Sequence, residues 1–378
     1  MSSVALPLTV ASENAAAPAF HLGYRPWLDG LRGIAVSMVF VHHLQYFIYK
    51  GGPLFGWLPL PFGLLGVDVF FVLSGFLITT LLLEEHRNTK QISLRQFYMR
   101  RALRLLPAVT FFLFSMVVYA WVFMPADEAA STARLSVIAI LYGTNWFFAL
   151  GGGSDLMGHL WSLAIEEQFY FVWPLALSLL LRTGITKKRI TTITLVLIGA
   201  VCIYRIALVP QVNPGRIYFG SDTRADSLLV GCAVAMLVSW QLVPNIFARA
   251  MKQVGMIGIF ILVAYTLDVF GVARFTIYET GFTVFALTVG LFILRAMLIP
   301  NNIYSRALEN PLLVWIGKLS YSLYLWHFFT IGLTLRMPLP NYLRVLVSVP
   351  ISFGIAAFSH YFIEKPFLKL KSRYAVSE

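Results

Sequence analysis

Eleven stretches of this chain are apolar over lengths that matter to a membrane: 33–49, 64–83, 104–124, 135–150, 162–181, 190–209, 226–242, 254–270, 277–299, 312–334 and 342–363. A helix needs about 20 apolar residues to span the hydrocarbon core of a bilayer, and the connections between these stretches are mostly short. Hydrophobic residues make up 58% of the 378 and charged residues only 12%, where a soluble domain carries ~25% charged. A large soluble domain, a disordered or collagenous chain and a secreted disulfide scaffold are all excluded. The pattern predicts an all-α polytopic membrane protein.

One stretch stands apart. Residues 135–150 are short, contain Gly143, Thr144 and Asn145, and run into Gly151-Gly152-Gly153, which reads as a re-entrant or interfacial segment rather than a span. Basic residues support that reading through the positive-inside rule. With ten crossings and a cytoplasmic N-terminus, 20 Lys and Arg fall inside, eight fall outside with Arg205 among them, and Lys318 lies within a span. If 135–150 crossed as well, the RTGITKKR loop and the terminal KPFLKLKSR segment would both move outside. Ten transmembrane helices with both termini cytoplasmic is therefore expected. The net charge of +12 is then an orientation signal and not a nucleic-acid signature. Cys202 and Cys232 sit in apolar runs, form no zinc pattern or disulfide framework, and read as inert thiols. The expected organisation is a polar N-terminal tail (1–23) without signal-peptide character, a membrane domain (24–367) and a short basic tail (368–378), with no appended soluble domain. No internal repeat is evident, which weighs against an inverted-repeat transporter.

Ionisable residues inside a bilayer are costly and mark function by default. In the first span, Asp29 and Arg32 stand at the cytoplasmic mouth and His43 follows after the run to His42-His43. Eleven residues separate Arg32 from His43, about three turns and ~16 Å on one helical face. A cationic mouth with an imidazole beneath it suits a long anionic ligand whose reactive end reaches inward; a plain positive-inside anchor and a helix-packing histidine are the simpler account. Arg101 and Arg104 share a face at i,i+3, a spacing that suits phosphate through forked hydrogen bonds or anchoring on anionic membrane lipid. His159, Ser162, Glu166 and Tyr170 form one polar stripe beside Glu167, as a catalytic or acceptor-binding face or as a polar seam between helices. Asp68, Ser74, Arg224, Asp226 and His327 complete the set, with Arg224 expected to pair with a carboxylate. For Asp222, and for Glu364 four residues after His360, ion-pairing or capping is expected.

Five of these segments taken in order resemble the acyltransferase-3 family of integral membrane acyltransferases: Arg32-x10-His43, VFFVLSGFLI, Arg101-x-x-Arg104, HLWSLAIEEQFY and SYSLYLWH. The resemblance runs from Trp27 to about Phe367. It implies transfer of an acyl group, usually acetyl, from cytoplasmic acyl-CoA to a hydroxyl of a carbohydrate, a lipid-linked sugar or a small molecule, at a bacterial cytoplasmic membrane. By motif, His43 would be the catalytic histidine and Arg32 its partner, with Arg101 and Arg104 on the acyl-CoA side.

The chemistry agrees with that implication. An alcohol attacking a thioester needs a base near its hydroxyl, and histidine suits neutral pH. The expected site has His43, Glu166 and His327 as catalytic residues and Arg32, Arg101 and Arg104 holding the CoA phosphates. Asp29, Asp68, Ser74, His159, Ser162, Glu167, Arg224 and Asp226 would bind acceptor or serve as structural polar groups. His43 would deprotonate the acceptor or carry the acyl group as acyl-imidazole, and Glu166 would orient a histidine or bind the sugar. No metal is expected. A proton-coupled transporter or a polysaccharide-export permease is the competing reading of buried His, Asp and Glu.

Overall fold

A computed structural model describes residues 20–50, 61–153, 156–244, 247, 277–299 and 302–370. Every regular element among the described residues is helical, as expected of segments that must satisfy their backbone hydrogen bonds internally within hydrocarbon. The expected span at 254–270 lies outside the described residues, as do 1–19 and 371–378 of the two expected tails.

Helix α1 (Pro26–Ile48) begins on proline, whose missing N–H is no loss in a first turn. It is followed by α2 (Pro61–Thr89) and α3 (Leu94–Phe123), the latter capped by the Ser93 side chain on Gln96 N. The stretch at 135–150 does not form one helix. It is divided between α4 (Ala126–Ile140) and α5 (Thr144–Ala149) by Tyr142, which adopts a left-handed φ of +54°. With 15 residues, α4 is about 22 Å long, short of a ~30 Å hydrocarbon core. A 3-10 turn, Gly158–Leu160, leads into α6 (Trp161–Arg182), then α7 (Lys187–Leu208), α8 (Pro214–Phe219) and α9 (Ser221–Ser239). Beyond the π-helical turn Ile277–Gly281 come α10 (Phe282–Leu298), α11 (Ile303–Leu308), α12 (Pro311–Leu335) and α13 (Asn341–Phe358). A second π turn, Ser359–Glu364, joins α13 to α14 (Lys365–Leu370).

Seven helical segments among the described residues are long and apolar enough to cross a membrane: Pro26–Ile48, Leu65–Thr89, Leu94–Phe123, Gly158–Arg182, Lys187–Gln211, Ile277–Leu298 and Asn341–Leu370. Two expected spans are missing from that set for a visible reason. Helix α9 carries Asp222, Arg224 and Asp226, and α12 is diluted by Ser320, Ser322, Tyr324 and His327. Both are nonetheless largely buried.

The charges of α9 are answered by its neighbours. Arg224 Nη2 donates to both Asp68 oxygens on α2 at 2.9 Å, and Ser227 Oγ donates to the same carboxylate at 2.8 Å. Asp226 pairs with Arg205 of α7 at 2.8 Å, and all four charged side chains are fully buried. Arg205 also donates to the carbonyls of Thr223 and Glu279. It is thus a structural cation inside the bundle and not one of the outer loop charges of the orientation count. Arg216 takes Asp222 at 2.5 Å, the ion pair expected of that aspartate. Cys232 is buried as expected, whereas Cys202 is only half-buried.

Helix α1 packs on α2 and α12, α2 on α9, and α9 on α7 and α10. Two of these crossings are close because glycine allows them. A Cβ on Gly317 of α12 would lie 1.8 Å from the Asp29 carbonyl oxygen of α1, and one on Gly231 of α9 would lie 2.0 Å from the Val72 oxygen of α2. Small residues at helix contacts are how membrane helices reach packing distance. Gly231→Ala should therefore cost about 1–3 kcal/mol through overpacking against backbone. A melting curve of the purified protein in detergent checks this; an unchanged midpoint would mean the crossing relaxes freely.

Candidate active site

The close α1–α12 crossing brings His43 and His327 together. His43 Nδ1 and His327 Nε2 are 3.0 Å apart, although 284 residues separate them in the chain. The direction of that bond follows from the other nitrogen of His327. Its Nδ1 lies 2.7 Å from the Tyr324 carbonyl oxygen and 3.2 Å from that of Leu323. Carbonyls only accept, so His327 Nδ1 carries the proton and, in the neutral ring, Nε2 carries the lone pair. His43 Nδ1 must then be the donor, which leaves His43 Nε2 as a bare lone pair. An imidazole fixed in this tautomer is ready to act as base or nucleophile through Nε2.

His159 completes an imidazole cluster, its ring centroid 5.2 Å from that of His327. Its Nε2 lies 3.1 Å from the Leu325 carbonyl oxygen, so Nε2 carries the proton and donates. His43 and His159 line one cavity of about 310 Å³, with Phe47, Trp161, Tyr218 and Phe328 in its walls.

A larger cavity of about 500 Å³ adjoins it, and Val67 and Tyr324 line both. Its walls carry Arg32, Arg101, Arg104, Ser74, Ser162, Glu166 and Glu167. The Arg101 guanidinium lies 3.6 Å from the centre of the Tyr170 ring, and its Nε is buried without a hydrogen-bond partner. Arg32 is 3.8 Å from Asp29, one turn back on α1. Arg100 on the rim is held by Glu85 at 2.9 Å. Four guanidinium groups, those of Arg32, Arg100, Arg101 and Arg104, line this cavity together with the carboxylates of Glu84, Glu85, Glu166 and Glu167.

Between the cavities Tyr324 donates its hydroxyl to the His159 carbonyl at 2.8 Å, and Ser162 Oγ lies 2.6 Å from the Tyr324 hydroxyl oxygen. With the tyrosine proton committed to a carbonyl, Ser162 is the donor in that contact. Tyr321 likewise ties α12 to α3 through the Leu105 carbonyl at 2.9 Å.

The residues singled out by sequence separate into three groups. His43 and His159 line the smaller cavity, and His327 contacts both. Arg32, Arg101, Arg104, Ser74, Ser162, Glu166 and Glu167 meet at the larger, with Asp29 behind Arg32. Asp68, Arg224 and Asp226 line neither cavity and serve as buried ion-pair partners, not acceptor contacts. Glu166 corrects one expectation. It accepts from Ser74 Oγ at 3.0 Å on the arginine side, and it does not orient a histidine. Glu364 pairs with His360 at 2.9 Å as expected. Tyr324, Tyr321 and Tyr142 were not singled out as site residues, although Tyr321 and Tyr324 stand inside the SYSLYLWH segment. A tyrosine in an apolar helix carries little hint of a cavity. Arg205 had a clearer signal, a lone arginine late in an apolar run.

The acyltransferase domain of one known family matches residues 25–363, which takes in every lining residue of the two cavities except His21. The chain belongs to the acyltransferase-3 family. Among curated proteins it is 36% identical to the peptidoglycan O-acetyltransferase OatA of Listeria monocytogenes over 364 residues, 92% of this chain and 56% of that protein. It is 32% identical to the O-acetyltransferase OatA of Staphylococcus aureus over 360 residues, 92% of this chain and 57% of that protein. The chain thus spans little more than half the length of these relatives. No solved structure matches it.

Within this acyltransferase fold, Asp68→Ala strands Arg224 without its carboxylate in the bundle interior. Breaking a buried pair from one side costs about 3–5 kcal/mol. The purified variant should melt well below wild type, and a wild-type melting midpoint would show that the pair is not a structural anchor.

Proposed function

We propose that this acyltransferase-3 member is a membrane O-acyltransferase that moves an acetyl group from acyl-CoA to a hydroxyl of a cell-wall carbohydrate. The observation that carries the reading is the junction of an arginine-lined cavity with a histidine-lined one across Val67 and Tyr324. The relatives named for peptidoglycan O-acetylation support the acceptor class. In this reading the chain crosses the bacterial cytoplasmic membrane ten times, with both termini and the arginine cavity on the cytoplasmic side.

The donor fits the arginine cavity on chemical grounds. Arg32, Arg101 and Arg104 repel one another, and the buried, unpartnered Arg101 Nε calls for an acceptor atom. The phosphates of acyl-CoA supply both the charge and the acceptors, since guanidinium forks match phosphate oxygens. The thioester end would then pass Tyr324 toward His43. Nε2 of His43 is the reacting nitrogen, and His327 keeps it so by accepting the Nδ1 proton in a hydrogen bond. The aromatic walls of the smaller cavity would receive the apolar face of a sugar ring, leaving its hydroxyl to the imidazoles. Water-poor surroundings strengthen each of these polar contacts.

Purified protein given acetyl-CoA labelled in the acetyl group, with peptidoglycan fragments as acceptor, tests this directly. His43→Ala should abolish label transfer at matched expression and melting behaviour; wild-type turnover would remove His43 from the reaction. Arg101→Ala with Arg104→Ala should raise the acetyl-CoA requirement by about tenfold or more, since hydrogen bonds to charged groups contribute ~1.5–3 kcal/mol each. An unchanged requirement would return these arginines to lipid anchoring.

A further inference from the structure

Three imidazoles line the smaller cavity, those of His42, His43 and His159, and the free nitrogens of His43 and His159 differ. In His43 the Nδ1 proton is given to His327, so the lone pair is on Nε2. In His159 the Nε2 proton is given to the Leu325 carbonyl, so the lone pair is on Nδ1. That Nδ1 is buried and has no hydrogen-bond partner, and an unanswered buried acceptor is rare enough to call for an explanation. The Phe328 ring packs against both histidines, 5.2 Å from His43 and 4.9 Å from His159 by ring centroids, and lines the same cavity. His42 also lines this cavity, and two further candidates for a base are committed elsewhere. His327 has both nitrogens engaged, and Glu166 faces the arginine cavity.

We propose that His159 is the acceptor-side base, and that His43 and His159 divide the two halves of the transfer; this rests on the acyltransferase reading above. In the first half, His43 Nε2 attacks the thioester carbonyl carbon and the carbon–sulfur bond breaks. The thiolate leaves toward the arginine cavity and takes a proton from water there. The acyl-imidazolium that remains keeps its Nδ1 proton in the hydrogen bond to His327. In the second half, an acceptor hydroxyl oxygen attacks the acyl carbon while its proton passes to His159 Nδ1. The carbon–nitrogen bond breaks, its electron pair returns to His43 Nε2, and His159 later releases its proton to water. One proton is consumed by the thiolate and one is released by His159, so the cycle closes without a further reactant.

The test separates loading from discharge. His159→Gln places an amide nitrogen near the ring Nε2 position, able to donate to Leu325, and removes the Nδ1 lone pair. Purified wild type, His159→Gln and His159→Asn are loaded with acetyl-labelled acetyl-CoA. Each is then discharged with peptidoglycan fragments, with glycerol as a simple alcohol, or with hydroxylamine, which attacks acyl-imidazole without help from a base. His159→Gln should load like wild type and discharge to the two alcohols at least about 10²-fold more slowly, the range of general-base catalysis. Its discharge by hydroxylamine should match wild type. Wild-type discharge to alcohols, or equally slowed discharge by hydroxylamine, would overturn the assignment, the latter leaving the ring a structural role. The same selective defect in His42→Gln but not in either His159 variant would move the base to His42. An absence of label on wild type, with transfer intact, would overturn the division, because His43 would then serve as the base itself. Wild type that loads but discharges to neither alcohol would overturn the O-acyltransferase reading.

Discussion

The fold depends on one constraint: inside a bilayer, a polar group must be answered by the protein. Two fully buried ion pairs show how such answers join separate helices. Asp68 and Arg224 join α2 to α9, and Asp226 and Arg205 join α9 to α7. These pairs lie beside the site and not in it, so their role is to hold a block of helices rigid. Continuum reasoning makes buried pairs weak contributors to net stability against an apolar alternative. They are specific, however, because a charged α9 has few ways to sit in hydrocarbon other than against these two partners.

Against that background, two of the several buried polar atoms left without a hydrogen bond bear on the site. Arg101 Nε lies in one cavity wall, and His159 Nδ1 belongs to a residue of the other. The first is a donor wanting an anion and the second is an acceptor wanting a proton. In the proposed reaction, donor-substrate phosphates and an acceptor hydroxyl would supply these in that order. The glycine-mediated crossing of α1 and α12 is what makes the arrangement possible, since it sets His43 within hydrogen-bond reach of His327 and fixes its tautomer.

Much of this was legible in the sequence, and the reasons are physical. Helical spacing put Arg32 and His43 on one face, and Arg101 with Arg104 on another, because periodicity within a helix is local. The weak segment at 135–150 showed itself through its glycines and its length. Contacts between helices were not legible in the same way. Nothing local indicates that Glu166 meets Ser74 on the arginine side, or that Arg205, placed among outer loop charges by counting, turns inward to Asp226. The sequence suggested a carboxylate for Arg224 without naming Asp68, because an ion pair 156 residues apart is a property of packing.

Tyr324 is where the two halves of the site become one mechanism. Its hydroxyl is given to the His159 carbonyl and receives Ser162 from the helix that carries Glu166. Its own carbonyl receives the Nδ1 proton of His327, which fixes the tautomer of His43. One residue therefore borders the arginine cavity, holds the backbone of the proposed base and fixes the tautomer of His43. In the proposed reaction, a thioester arriving from the arginine side would have to pass this side chain to reach His43. That passage and the alignment of the imidazoles would then be coupled through a single ring, with donor entry and acceptor activation built on the same hydrogen bonds.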